Sequence, residues 1–128
     1  MQQEEELYRF ELGDIHLHIS HAGKNVYLTS PTHPHLPRML LGLPVPGHYN
    51  TSTLSSTSDE RGERTLRFVP LKTGTDEAII EVTVHDVGEY WYYGGVGDDW
   101  HPRESTSKHR LTVRKVYDGI EYGLERAE

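Results

Sequence analysis

The most regular alternation of apolar and polar positions runs over residues 65–116. Leu66 and Phe68 alternate with Thr65 and Arg67, Pro70 and the run Lys72-Thr73-Gly74-Thr75 turn the chain, and Ile80, Val82 and Val84 alternate with Glu81, Thr83 and His85. A period of two sends successive side chains to opposite faces, so each segment is predicted to be a strand with one buried face. A last strand over 108–116 points Leu111 and Val113 inward and Thr112 and Arg114 outward, and is expected to pair with the 78–85 strand.

The first part of the chain repeats the pattern more briefly. Tyr8, Phe10 and Leu12 alternate with Leu7, Arg9 and Glu11 before Gly13-Asp14 permits a bend or bulge. Ile15, Leu17 and Ile19 share a face, and Ala22-Gly23-Lys24-Asn25 forms a hairpin connection into a strand carrying Val26 and Leu28. Pro31, Pro34, Pro37, Pro44 and Pro46 then interrupt any long ladder, since proline has no N–H to donate; Met39-Leu40-Leu41 is expected to plug the end of the core. Residues 48–64 are rich in Ser, Thr, Asp and Gly, and read as a long exposed loop with an edge strand near 51–55. Asp118 is placed to cap a short helical tail within 117–128, and residues 1–6 are expected to be disordered.

These elements add up to an all-β chain, folded as one antiparallel β-sandwich of about seven or eight strands over residues 1–128. Composition agrees: 34% of residues are hydrophobic and the mean hydropathy is -0.68, as many short strands joined by polar turns require. The absence of cysteine excludes disulfides, thiolate zinc centres, iron-sulfur clusters and thiol nucleophiles. A formal net charge of -7 opposes a phosphate backbone, so nucleic acid is not an expected partner. The acidic start Met1-Gln2-Gln3-Glu4-Glu5-Glu6 lacks the basic and apolar regions of a secretion signal, and no apolar run is long enough for a membrane-spanning helix. The expected location is cytoplasmic for a complete chain, or that of a larger protein from which this is a piece.

No enzyme is expected. The G-x-S-x-G and H-E-x-x-H motifs and the phosphate-cradling glycine motifs are missing, and Gly94-Gly95-Val96-Gly97 reads as a hairpin tip. Asp98 and Asp99 are adjacent and diverge on a strand, so they cannot face each other across a glycosidic bond.

Three constellations are candidates for binding. Tyr90, Trp91, Tyr92, Tyr93 and Trp100, interleaved with glycines and with Asp98, Asp99 and His101, form an aromatic loop. Tyr and Trp stack on sugar rings while carboxylates accept hydroxyl hydrogen bonds, and the same residues anchor protein interfaces. If the segment continues as a strand, Tyr90 and Tyr92 take one face and Trp91 and Tyr93 the other, and one pair is expected in the core. His16 and His18 share a strand face and could close on zinc or copper with a third histidine from His33, His35 or His85; the alternative is that they are half-solvated outward residues. Asp86, Glu89, Asp98 and Asp99 sit at the two ends of the loop; Asp86, Glu89 and Asp98 are candidate calcium ligands, with solvated carboxylates the other reading. Otherwise no cofactor is expected.

The segments Thr65-Leu66-Arg67-Phe68-Val69-Pro70, Gly74-Thr75, Ala78 through Gly88, Gly94 through Asp98 and Leu111-Thr112-Val113 resemble the bacterial immunoglobulin-like or cadherin-like repeats of surface proteins. Those repeats carry an L-x-F-x-P segment, a G-T-A-x-I-x-V-x-V-x-D-x-G strand and a glycine-rich hairpin. The resemblance implies a Greek-key immunoglobulin-like sandwich used as a spacer or adhesion module in an extracellular multidomain assembly, often with calcium at its edges. The function expected is therefore recognition of a protein surface or carbohydrate through the 89–101 loop, and the alternative is a histidine-rich metal-binding sandwich.

Overall fold

The alternation at 65–116 is realised as long neighbouring strands in a computed structural model, which describes residues 4–52, 59–92 and 99–127. Among these residues the strands are β1 (Glu4–Leu12), β2 (Ile15–Ala22), β3 (Asn25–Thr29), β4 (Met39–Leu40), β5 (Gly47–Ser52), β6 (Asp59–Thr73), β7 (Glu77–Tyr92), β8 (Asp99–Val116) and β9 (Gly119–Arg126). They form two antiparallel sheets, ordered β1-β2-β3-β4 and β5-β6-β7-β8-β9. Within each sheet every strand pairs with its chain neighbour, so both sheets are meanders, and the Greek-key crossover expected from the resemblance is not among the described pairings. Short turns favour this outcome, because a two-residue connection can only join antiparallel neighbours. Gly13, at φ 64, supplies the left-handed position in the β1–β2 turn.

The sheets share one core. Leu12, Ile15, Leu17, Ile19, Val26 and Leu28 of the first sheet meet Ala78, Ile80, Val82, Leu111 and Val113 of the second, all within a few per cent of full burial. Tyr8 stacks on Phe68 with ring centroids 5.2 Å apart, tying β1 to β6 along one side. On the other side the Tyr122 hydroxyl donates to the Leu40 carbonyl, joining β9 to β4. The plug expected from Met39-Leu40-Leu41 is made by Leu41 and Leu43, with Leu40 turned out to 52% exposure. No helix among the described residues is long and apolar enough to cross a membrane.

Three boundaries differ from expectation. The tail is strand β9, not a helix: Tyr117-Asp118 turn the chain, Val116 pairs with Gly119, and Tyr122 and Leu124 lie opposite Val113 and Leu111. Ile120, Tyr122 and Leu124 have a strand period, and Gly119 and Gly123 are poor helix formers. Much of the 48–64 loop is also strand, with β5 and β6 in register from Gly47↔Arg64 to Ser52↔Asp59. Of the segment 1–6, Glu4 to Glu6 lie in β1, where Ser20 Oγ donates to Glu4 at 2.6 Å and His21 lies 3.1 Å from Glu5, and residues 1–3 lie outside the described residues.

Glu77, at the start of β7, accepts hydrogen bonds from Lys72 Nζ and Arg114 Nη2, each at 3.0 Å. The Lys72 ammonium first, and then Arg114, hold its carboxyl below the usual carboxylate range. Glu6 is lowered in the same sense by Arg9. A carboxylate with a depressed folded-state pKa stabilises the fold above its ordinary pKa and loses that contribution as pH falls through the folded value. Glu77→Gln is therefore expected to flatten the acid limb of a stability-versus-pH curve between roughly pH 5 and 3, measured by urea unfolding at each pH. An acid limb identical to wild type would remove this assignment.

The second sheet extends past the shared core. Val84 and Leu111 are the outermost buried side chains on β7 and β8, and none of the residues 85–91 or 100–110 is buried. β9 pairs with β8 only from His109 onward, so the first part of β8 borders β7 alone. The outer halves of β6, β7 and β8, with β5 alongside, form an arm on which no described side chain beyond Val84 and Leu111 is buried.

Candidate functional site

Strand register decides which side chains meet on the arm. Residues paired across an antiparallel ladder share a face, and the face continuous with the core carries Arg64, Asp86 and Ser105, then Gly62, Gly88 and Arg103, then Glu60, Tyr90 and His101. At its root, Arg64 grips Asp86 in a two-pronged pair, Nε to Oδ1 at 2.7 Å and Nη2 to Oδ2 at 2.9 Å. Bidentate guanidinium–carboxylate pairs fix orientation as well as charge. Farther out, the Tyr90 and His101 rings stack at 5.5 Å, and Arg103 contacts the Glu60 carboxylate.

The opposite face carries the tryptophans. Trp91 and Trp100 are paired in register, with ring centroids 5.2 Å apart at 74°, an edge-to-face contact. The Arg61 guanidinium lies 3.7 Å from the Trp100 ring centroid, a cation–π contact. Arg61 Nε and Nη2 also donate to Glu89 Oε1, at 3.1 and 2.9 Å, which locks the guanidinium over the ring. Val87 on the same face is 47% exposed.

The structure thus brings together Tyr90, Trp91, Trp100 and His101, but on strands and not on a loop. Tyr92 and Asp99 pair through the backbone, and Tyr93 and Asp98 lie outside the described residues. The expectation that one aromatic pair is core fails for Tyr90 and Trp91, neither of which is buried, because the strands have already run past the first sheet. Arg61, Glu60 and Arg103 were not singled out by the sequence; Arg61 reaches Glu89 across 28 positions, and no local pattern carries that pairing.

The calcium set does not assemble from its described members. Asp86 and Glu89 are three positions apart on one strand, hence on opposite faces, and each is taken by an arginine. Nor do the histidines gather as a triad. His85 binds Glu104 on the second sheet, and His33 faces His35 at 5.8 Å. Among the described residues no group of three or more His, Asp or Glu side chains is placed to hold a metal ion. His16 and His18 do share the outer face of β2, each beside a glutamate of β1: His16 Nδ1 is 3.3 Å from Glu11 Oε1, and His18 Nδ1 is 3.0 Å from Glu6 Oε1.

No family model, curated protein or solved structure matches this chain.

Proposed function

We propose that the chain is a non-catalytic binding module that recognises a protein surface through its β-arm. The observation that carries this reading is the cluster of half-buried Trp91, Trp100 and Tyr90 with exposed Arg61 and His101, spread over the two faces of strands that have left the core. Trp, Tyr and Arg are the side chains that dominate interface energetics, because each offers a large rigid surface with a polar handle. Rings already fixed by edge-to-face packing and by a salt-bridged guanidinium lose little entropy on binding. A sugar platform is less well supported, since stacking needs an open ring face and Arg61 occupies one face of Trp100. The immunoglobulin-like, adhesive and extracellular parts of the reading rest on the sequence resemblance.

The test is a partner screen with the intact protein and its Trp91→Ala and Trp100→Ala variants, read by biolayer interferometry, with a glycan array in parallel. Both rings lie outside the shared core, so both variants are expected to keep the wild-type melting profile. Each substitution is expected to weaken a protein partner by about 30-fold or more, the scale of about 2 kcal/mol at an interface hot spot. Partner binding that ignores both substitutions, or glycan binding that depends on them, would overturn the assignment.

A further inference from the structure

We infer that His16 and His18 form a two-histidine site for a divalent transition metal, with copper(II) the preferred ion, on the face of the first sheet that looks away from the core. Side chains two positions apart on a strand share a face with about 7 Å between their Cα atoms, which two imidazoles can span around one ion. Each ring has its Nδ1 beside a carboxylate, Glu11 for His16 at 3.3 Å and Glu6 for His18 at 3.0 Å. A carboxylate so close favours the tautomer with the proton on Nδ1, which leaves Nε2 as the nitrogen with a lone pair to offer a metal. Metal-ligating histidines are held in this way by outer carboxylates, which fix the ring and raise its basicity.

The placement of Glu6 depends on a bulge. β1 shifts register between Glu6 and Tyr8, so that Tyr8 pairs with Ile19 on the core face while Glu6 pairs with Ser20 on the outer face. Without the bulge, Leu7 would pair with Ser20 and Glu6 would fall opposite His21, turned away from His18. Glu6 is further held by Arg9, whose Nε and Nη2 donate to Oε2 at 3.1 and 2.7 Å, leaving Oε1 for the histidine. Bulges re-aim side chains in this manner.

Room and charge are also suitable. A cleft of about 530 Å³ is lined by Arg9, Glu11, His16, His18, Pro31 and Thr32. Two carboxylates against one guanidinium leave a local negative balance that favours a dication. With no third protein ligand among the described residues, water completes the coordination and the ion stays exchangeable. Imidazole nitrogens bind first-row dications in an order that peaks at copper, so nickel and zinc are expected to bind more weakly.

The experiment titrates copper sulfate, and separately zinc sulfate, into the intact protein by calorimetry. Histidine ring signals are followed by 1H–15N correlation spectroscopy. One copper site is expected, weakened at least tenfold by His16→Ala or His18→Ala and about 10- to 100-fold by Glu6→Gln. Copper is expected to broaden the His16 and His18 ring signals before those of the other histidines. His16 and His18 are on the outer face, at 51% and 30% side-chain exposure, so their variants are expected to melt as wild type does. Trp91→Ala, which tests the arm, is expected to bind copper normally, so the two proposals fail separately. Copper binding of undiminished strength in the His16→Ala/His18→Ala double variant, or broadening that begins at His33 and His35, would overturn this site.

Discussion

Leu111→Ala is expected to destabilise the protein by about 2–5 kcal/mol, the cost of deleting a fully buried leucine side chain and leaving its cavity behind. Leu111 is 0% exposed, flanked in its own sheet by Ile80 and Leu124, and its side chain belongs to the cluster where the two sheets meet. Neither sheet can collapse into the gap without breaking a ladder, which places the expected loss toward the upper part of the range. Set against a total stability of about 5–15 kcal/mol, that is a large fraction of what holds the fold. The melting temperature is expected to fall by roughly 10 °C or more. Arg110→Ala, one position earlier on the outward face, is the control and is expected to stay within about 0.5 kcal/mol of wild type. Urea and thermal unfolding of the two variants provide the measurement. Equal stability of the two would mean that the sheets do not meet at Leu111.

The contrast between Leu111 and Arg110 is also the reason why part of this fold was legible in sequence. Where a strand has one dry face, alternation has an energetic cause, and Ile15, Leu17, Ile19, Val26, Leu28, Ile80, Val82 and Val113 are all buried as their spacing implies. The segments that form β5 and the start of β6 carry almost no apolar residues. Their polar residues satisfy a ladder without any hydrophobic period, so they read as loop. β9 misled for a different reason: Asp118-Gly119 serves equally as a helix cap and as a hairpin turn, and only Leu124 lying opposite Leu111 settles which.

The candidate sites divide along the same line. Strand parity put Tyr90 and Trp91 on opposite faces and His16 and His18 on the same one, as the structure has them. Parity also separates Asp86 from Glu89, a consequence that the calcium expectation had overlooked. What no local pattern supplied was partnership across strands. Arg61 over Trp100 needs the β6–β7–β8 register, and Glu6 beside His18 needs the bulge at Leu7, features set by the pairing of segments far apart in the chain or by a single inserted residue.

Gly88→Ala is expected to undo the arm while leaving the sandwich folded. Gly88 and Gly62 are paired in register between β6 and β7. A Cβ on Gly88 would lie 2.0 Å from the Arg61 carbonyl oxygen and 2.8 Å from the Gly62 Cα. Both obstacles are backbone, so no side chain can swing aside, and β6 itself has to move. Overpacking at a close contact costs about 1–3 kcal/mol, and among the described residues of the arm no buried apolar side chain is present to absorb it. The ladder is therefore expected to open outward from the Arg64–Asp86 pair, taking Arg61 off Trp100 and away from Glu89. Hydrogen exchange is the direct measurement: amides at 60–63 and 86–90 should lose protection, while those around Ile80, Val82 and Val113 keep it. Partner binding should fall as far as it does in Trp100→Ala, although every aromatic side chain is still present. Gly123→Ala is the control, since a Cβ there meets nothing within 4 Å and should be tolerated. If Gly88→Ala keeps both arm protection and partner binding, the two strands do not approach as closely as described, and the recognition surface does not depend on Arg61 being held over Trp100.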